Sequence, residues 1–297
     1  MTVHAHAGGK LILVGEHAVV YGHPAVAIPL PSLTVEISVN TAQEPNTLFS
    51  EEEWGRVMRA FLLCRQLLAR QYPPIPTGGL PPLRIQSSLP LGKGLGGSAA
   101  VSIALVRFCA QWFSIDLTVR EVASYANQLE SIFHHAPSGV DVETALSSAP
   151  LFFQKGQPGR TLPALPPCSI VLIDTREHAS TEKMVRCLQK HLEETPADHQ
   201  HLQAIGSLAQ DVRQAIEQQD LPRLGASLTQ AQGHLRALHL STPALDRAVA
   251  TLCDKGALGA KMTGSGGGGI AFGVFSSPPD LSSLQACGDT FLLDRTL

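Results

Sequence analysis

Four short segments hold residues whose types and spacing could do chemistry. The densest is Pro90-Leu91-Gly92-Lys93-Gly94-Leu95-Gly96-Gly97-Ser98-Ala99-Ala100. Glycines let successive backbone N–H groups turn toward an anion, and a helix opening near Ser98 would add the positive end of its dipole. A tight strand-to-helix turn is the plain alternative, but it requires fewer glycines than this run holds. Gly92, Gly94 and Gly97 also satisfy GxGxxG, with Asp116 about twenty residues on. A dinucleotide fingerprint, however, feeds its strand straight into the first glycine and sits in repeated βαβ units. Here Ser88-Leu89-Pro90-Leu91 intervene. No Gly-Lys-Ser/Thr follows at Walker A spacing either. The loop reads as a phosphate cradle of another kind.

The second segment is Lys261-Met262-Thr263-Gly264-Ser265-Gly266-Gly267-Gly268-Gly269. So many glycines cost backbone entropy, which a close approach to a ligand would justify; a bulged hairpin is the alternative. The third, Ala136-Pro137-Ser138-Gly139-Val140-Asp141, is a turn by composition that could present a carboxylate, although an Asp at a turn is usually a cap. The fourth is Gly8-Gly9-Lys10 followed by Gly15-Glu16-His17-Ala18-Val19-Val20-Tyr21-Gly22. Taken alone, Lys10 is a solvated charge at a strand start, and Glu16-His17 a polar loop.

Metal chemistry of the transition-metal kind has little support. Of the twelve histidines, His4/His6, His134/His135 and His199/His201 are close pairs, but none forms HExxH or another familiar ligand spacing. They read as solvated or capping residues. The cysteines Cys64, Cys109, Cys168, Cys187, Cys253 and Cys287 include no CxxC pair, as expected of reduced, mostly buried thiols.

Elements must position these segments. Leu11–Val14, Ala18–Tyr21, Ala25–Ile28 and Leu33–Val39 are short apolar or alternating runs, expected as strands. Apolar residues at three- and four-residue steps predict a helix from Trp54 to Leu68, with Glu51–Glu53 as its acidic first turn. Leu83–Gln86 is a strand, and a helix follows from Ser98 to Trp112. Thr118 with Glu121 forms a capping box for the next helix, to Phe133. In the second half, strand Ser169–Asp174 precedes helices from Thr181, His199–Gln219, Pro222–Leu238 and from Thr242-Pro243 to Gly256. Strands Gly259–Thr263 and Ile270–Phe275, helix Pro279–Cys287 and strand Phe291–Leu293 complete it. Without the extra helices the order is β-α-β-β-α-β, the ferredoxin-like arrangement. The Pro-rich stretch Gly156–Pro167 marks the expected domain boundary.

Composition bounds the function. The chain has 297 residues, suited to two domains or one large one. Its 22 basic and 25 acidic residues leave a net charge of -3, so nothing drives binding to nucleic acid. Leu11–Val14 is too short for a signal sequence, and Ala99–Ile115 is interrupted by Ser102, Arg107 and Gln111. A cytoplasmic location is expected, with no membrane partner.

Together the four segments resemble the GHMP kinase superfamily and, within it, the mevalonate kinase family. The resemblance runs essentially end to end. The stretch Gly15-Glu16-His17-Ala18-Val19-Val20-Tyr21-Gly22 is its most specific part. The chain departs from the family pattern at Gly8, where a proline is usual, at Gly97, where the first serine of Gly-Leu-Gly-Ser-Ser stands, and at Ala136 and Val142, where asparagines are frequent. The resemblance implies an α+β fold of two domains. Residues 1–165 would be a ribosomal-protein-S5-like N-terminal domain holding the phosphate loop, and residues 166–297 a ferredoxin-like C-terminal domain. It also implies transfer of a phosphoryl group from ATP to (R)-mevalonate. Asp141 would take the proton of the C5 hydroxyl, with Lys10 keeping it ionised. Pro90, Gly92, Lys93, Gly94, Leu95, Gly96, Gly97, Ser98 and Ala99 would line the nucleotide phosphates. Ser98 and Glu130 would hold Mg²⁺; Glu130 stands eleven residues before Asp141, as in the family. Glu16, His17, Thr181 and Gly264 would lie at the substrate.

Phosphomevalonate kinase, another GHMP small-molecule kinase, a catalytically silent ligand-binding relative and a dinucleotide oxidoreductase remain alternatives. Around the opening motif the cationic candidates are Lys10 and His17, and the stretch from Tyr21 to Leu33 holds no Lys or Arg. That favours a neutral alcohol over a phosphorylated acceptor. The sequence leaves the oligomeric state open, a homodimer included.

Overall fold

Strand β1 (His4–Val14) changes character along its length. His4 and His6 face solvent while Ala5 and Ala7 are buried, the alternation of a strand with one wet face; from Gly9 to Val14 every residue is buried. The computed structural model describes residues 3–40, 47–75, 81–134, 137–178 and 180–293, with the backbone alone for 285–287. His135 and Ala136 of the sequence motifs lie outside the described residues.

Two units pack within themselves, and neither is continuous in sequence. One comprises Met1–Gly9, Leu30–Leu91 and Gly96–Leu146; the other comprises Lys10–Pro29, Gly92–Leu95 and Ser147–Leu297. In the first, strand β2 (Ala25–Val39) pairs antiparallel through Val35–Val39 with β3 (Leu83–Ser87). Helices α1 (Glu51–Gln71), α2 (Gly97–Trp112), α3 (Val119–Phe133) and α4 (Val140–Leu146) complete this unit. Helix α2 is apolar nearly all round and is buried accordingly, with Phe108 edge-on to Phe61 of α1 at 5.9 Å. Ser50 and Thr118 cap α1 and α3 through reciprocal bonds with Glu53 and Glu121.

In the second unit β2 pairs through Ala25–Ala27 with β4 (Leu151–Phe153), which pairs with β5 (Arg160–Thr161). A separate antiparallel sheet has the order β7 (Gly259–Met262), β8 (Ile270–Phe275), β6 (Ser169–Asp174), β9 (Asp289–Leu293). Numbered by their own chain order these strands run 2-3-1-4, the ferredoxin-like arrangement that the element order predicts. Helices α5 (Thr181–Glu194), α6 (His199–Glu217), α7 (Leu221–Ala237) and α8 (Pro243–Asp254) fall between β6 and β7. Asp220 and Thr242 cap α7 and α8, each before a proline in the first turn.

Several expectations are corrected. Ala18–Tyr21 is a 3₁₀ turn rather than a strand, because His17 (φ 59°) and Gly22 (φ 87°) adopt left-handed backbone at its two ends. The runs 25–28 and 33–39 are one strand. Pro29 and Pro31 fall between the residues paired to β4 and those paired to β3, where no N–H is needed on that side. Asp141 stands in the first turn of α4 and not in a plain turn. The expected helix over 279–287 is a 3₁₀ segment, Leu281–Cys287. The thiols are less buried than expected: Cys64 and Cys109 are buried, whereas Cys187 and Cys253 are exposed.

Candidate active site

The first glycine run adopts backbone that glycine permits. Gly92, Gly94 and Gly96 have φ of 70°, 89° and 77°, conformations that side chains resist. Helix α2 then opens at Gly97 with Gly96 as its cap and no side chain on its first N–H groups. Those donors stay available to an anion. Leu95 is buried in the core, and the Leu95 carbonyl accepts from the Lys10 N–H at 2.9 Å. The side chain of Lys93 turns away from solvent. Its ammonium lies 3.1 Å from Asp174, at the end of β6, and donates to the Glu177 carbonyl at 3.4 Å.

On α2, Ser98 and Ser102 are one helical turn apart and so share a face. Opposite them on α3 stands Glu130, 3% exposed. Ser98 Oγ donates to Glu130 Oε2 at 3.0 Å, and Ser102 Oγ to Glu130 Oε1 at 2.8 Å. His134 Nε2 lies 3.0 Å from Ser98 Oγ. The spacing of Ser98 Oγ and Glu130 Oε2 is close to the edge of about 2.9 Å between adjacent oxygens around a hard octahedral cation. Both are hard oxygen donors, and a hydroxyl can rotate its proton away to offer a lone pair. The pair therefore fits such an ion. Among the described residues no group of three or more His, Cys, Asp or Glu gathers as a metal cluster. Asp141, half-buried, sits in the first turn of α4 just after Gly139, whose φ is 90°.

In the other unit the opening motif meets the second glycine run. Lys10 is 2% exposed, and its ammonium donates to the Gly94 carbonyl at 3.2 Å. A Cβ on Gly94 would stand 2.7 Å from the Thr263 carbonyl oxygen, and one on Gly264 2.6 Å from Gly94 Cα. The two glycine runs touch through backbone, which is why neither position admits a side chain. Thr263 Oγ1 also donates to the Ile12 carbonyl at 3.3 Å.

Glu16 and His17 follow. The Glu16 carboxylate pairs with the ammonium of Lys261, which is fully buried on β7 and also donates to the Met262 carbonyl. Burial pushes the Glu16 carboxyl up and the Lys261 ammonium down, and each is drawn part of the way back by the other. Glu16 Oε2 is buried without a hydrogen-bond partner. His17 Nε2 lies 2.9 Å from the Ser265 carbonyl, so that nitrogen carries the proton. Burial depresses the His17 pKa to about 4, and the ring is neutral near pH 7. Ser265 Oγ donates to Thr181 Oγ1, the first residue of α5, at 3.2 Å. His17, Ser265 and Thr181 thus form one polar chain.

Two family models match the chain: the GHMP kinases N terminal domain over residues 56–148, and the GHMP kinases C terminal over residues 212–289. A mevalonate kinase of Thermococcus sibiricus is 30% identical, with 92% of this chain and 89% of that protein covered. One of Archaeoglobus fulgidus is 31% identical, with 91% and 92% covered. The chain belongs to the GHMP kinase family. The fold agrees: the crystal structure of L. major mevalonate kinase in complex with R-mevalonate superposes with a TM-score of 0.83 at 24% identity, covering 98% of this chain and 96% of that one. As a GHMP kinase the chain transfers a phosphoryl group, with ATP as the family's donor, to a small molecule. No described helix is long and apolar enough to cross a membrane.

For this GHMP kinase, sequence reasoning overlooked the supporting residues. Ser102 carried a signal, its helical spacing from Ser98. Lys261 carried another, a lone charge in a strand of otherwise small and apolar residues. It also corrects the inventory of cations around the opening motif, although its charge is matched by Glu16. Asp174 gave no signal, since an Asp at a strand end is common.

Proposed function

We propose that this GHMP kinase phosphorylates the C5 hydroxyl of (R)-mevalonate, giving 5-phosphomevalonate and ADP. The observation that carries the reading is the match, at 30–31% identity over at least 91% of the chain, to relatives named mevalonate kinase. The neutral His17, the Ser265–Thr181 hydroxyl pair and a Lys261 already matched by Glu16 support it. They offer hydrogen bonds to alcohols and no spare cation for a second phosphate.

Phosphoryl transfer asks the protein to position reactants and neutralise charge. Asp141 takes the hydroxyl proton, and the positive charge of Lys10 offsets the negative charge that develops in the transfer. Backbone N–H groups from Gly92 to Ser98, flanked by Pro90 and Ala99, cradle the phosphates. Ser98 and Glu130 hold Mg²⁺, which when bound neutralises phosphate oxygens. Ser102 keeps Glu130 turned toward it. Glu16, His17, Thr181 and Gly264 serve the acceptor. In this reading the two family domains join near residue 165, although the compact units interleave along the sequence, and the enzyme acts in the cytoplasm.

A coupled ADP-release assay with mevalonate, phosphomevalonate, homoserine and galactose tests this. Mevalonate is expected to exceed phosphomevalonate by at least about tenfold in kcat/KM, because an unmatched phosphate would have to be desolvated. The reverse preference would make the chain a phosphomevalonate kinase and leave Asp141, Ser98 and Glu130 in their roles.

A further inference from the structure

Lys261 has no place in the reaction as described so far, and the way in which Glu16 serves the acceptor is still open. Both side chains lie inside one unit, Lys261 fully buried and Glu16 2% exposed. The Glu16 carboxylate is turned to the Lys261 ammonium and not to solvent. Glu16 is also the residue before His17, which holds left-handed backbone (φ 59°) that a residue with a Cβ does not adopt without support. That support comes from two sides. Gly15 packs against Ala25 where a Cβ would stand 2.4 Å from Ala25 Cα, and the Glu16 carboxylate is anchored on β7 by Lys261.

The anchor and the ligand-side partner lie on the same stretch of chain. Lys261 ends in the segment that continues through Thr263 to Ser265, whose carbonyl accepts the His17 Nε2–H. One ion pair and one hydrogen bond therefore tie Glu16-His17 to 261–265 at two points. The second point decides the tautomer. A carbonyl only accepts, so Nε2 must carry the hydrogen, and Nδ1 is left as the ring's acceptor. An acceptor nitrogen on a neutral ring receives an O–H; it offers nothing to a carboxylate or a phosphate.

We infer that the Lys261–Glu16 pair is a positioning device for the acceptor substrate, holding His17 with Nε2–H on the Ser265 carbonyl and Nδ1 turned to receive a substrate hydroxyl. This rests on the reading that His17 serves the acceptor, and it assigns that contact to an alcohol group of the acceptor rather than to its anionic group. Lys261 and Glu16 act through His17 and do not touch the substrate.

The test uses K261M and the double variant E16M/K261M of the full chain, in which two apolar side chains replace the pair. K261M leaves a lone buried carboxylate and is expected to lose stability. The double variant buries no lone charge, and pairs of this kind are often replaceable without loss of stability. Its melting temperature should return close to that of the wild type. Its KM for mevalonate should nevertheless stay raised by about tenfold or more, with KM for ATP within about twofold, because the orientation of His17 is not restored. A purely structural pair would recover both. Nitrogen-15 NMR of labelled histidine, with H17N to assign the signal, reads the tautomer without any substrate: Nε2–H in the wild type, a mixture of tautomers in the double variant. That readout separates this inference from the choice of mevalonate, which stands or falls on the substrate panel. If the double variant binds the acceptor with wild-type KM, or keeps the pure Nε2–H form, the inference is overturned. Should K261M fail to fold, the double variant alone still decides.

Discussion

Glu16 and Glu130 are both carboxylates sealed from solvent, 2% and 3% exposed, one in each unit, and their surroundings differ in kind. Glu130 is held by two hydroxyls, Ser98 at 3.0 Å and Ser102 at 2.8 Å, with the His134 imidazole 3.8 Å from its Oε2. Glu16 is held by an ammonium, with its second oxygen left without a partner. A hydroxyl can rotate and change from donor to acceptor; an ammonium can only donate. The hydroxyl-lined carboxylate can therefore exchange a proton-mediated contact for a hard cation. The ammonium-paired one is already neutralised and can only hold geometry. The same residue type serves as ligand in one place and as anchor in the other because of what surrounds it.

Asp141 gives the largest effect and the sharpest contrast with both, since it is half-buried rather than sealed. Asp141→Asn keeps the shape and removes the base. A fall in kcat of about 10²–10⁴-fold is expected, with ATP binding nearly unchanged by titration. Near-normal turnover would move the base elsewhere.

The comparison itself is broken or upheld by matched amide substitutions. Glu16→Gln leaves Lys261 charged, buried and unpaired, at a cost of about 3–5 kcal/mol in urea unfolding. Glu130→Gln faces hydroxyls that can re-pair with an amide, so its cost should stay within about 1–3 kcal/mol. Equal losses would show that the surroundings matter less than burial.

In activity the ranking reverses. Glu130→Gln should raise the Mg²⁺ concentration for half-maximal turnover by about 10–100-fold, and Ser98→Ala by less. Full activity in excess EDTA, or stoichiometric zinc in the purified enzyme, would remove the hard-cation role.

The smallest effect is the pH dependence of His17. Its folded pKa of about 4 lies below the unfolded value of 6.5, so the unfolded chain binds the proton first. The contribution is intact above pH 6.5 and is lost as pH falls toward 4. Between pH 8 and pH 5.5 this amounts to about 1 kcal/mol. His17→Gln should flatten the unfolding free energy over that interval by the same amount, and an unchanged slope would place the ring in the open.

Local physics was legible in the amino-acid order. The capping box at Thr118, the start of α8 at Thr242-Pro243, and the apolar periodicity of α1 act within a few residues, and they lie where the pattern puts them. The ferredoxin-like order of the second sheet follows from element order and chain connectivity. The glycine runs announced close backbone approach, because few other needs offset their entropy. Tertiary structure alone decided what each run approaches: Gly94 meets Gly264, a pairing across a long span of chain. It turned Val19-Val20 into a 3₁₀ turn, since left-handed backbone at His17 overrides the β preference of two valines. It also selected Lys261 as the partner of Glu16 and Ser102 as the partner of Glu130. Burial and hydrogen bonding between residues distant in sequence depend on the folded coordinates of both partners; spacing along the chain puts Ser102 on the face of Ser98 but does not name Glu130 as what that face meets.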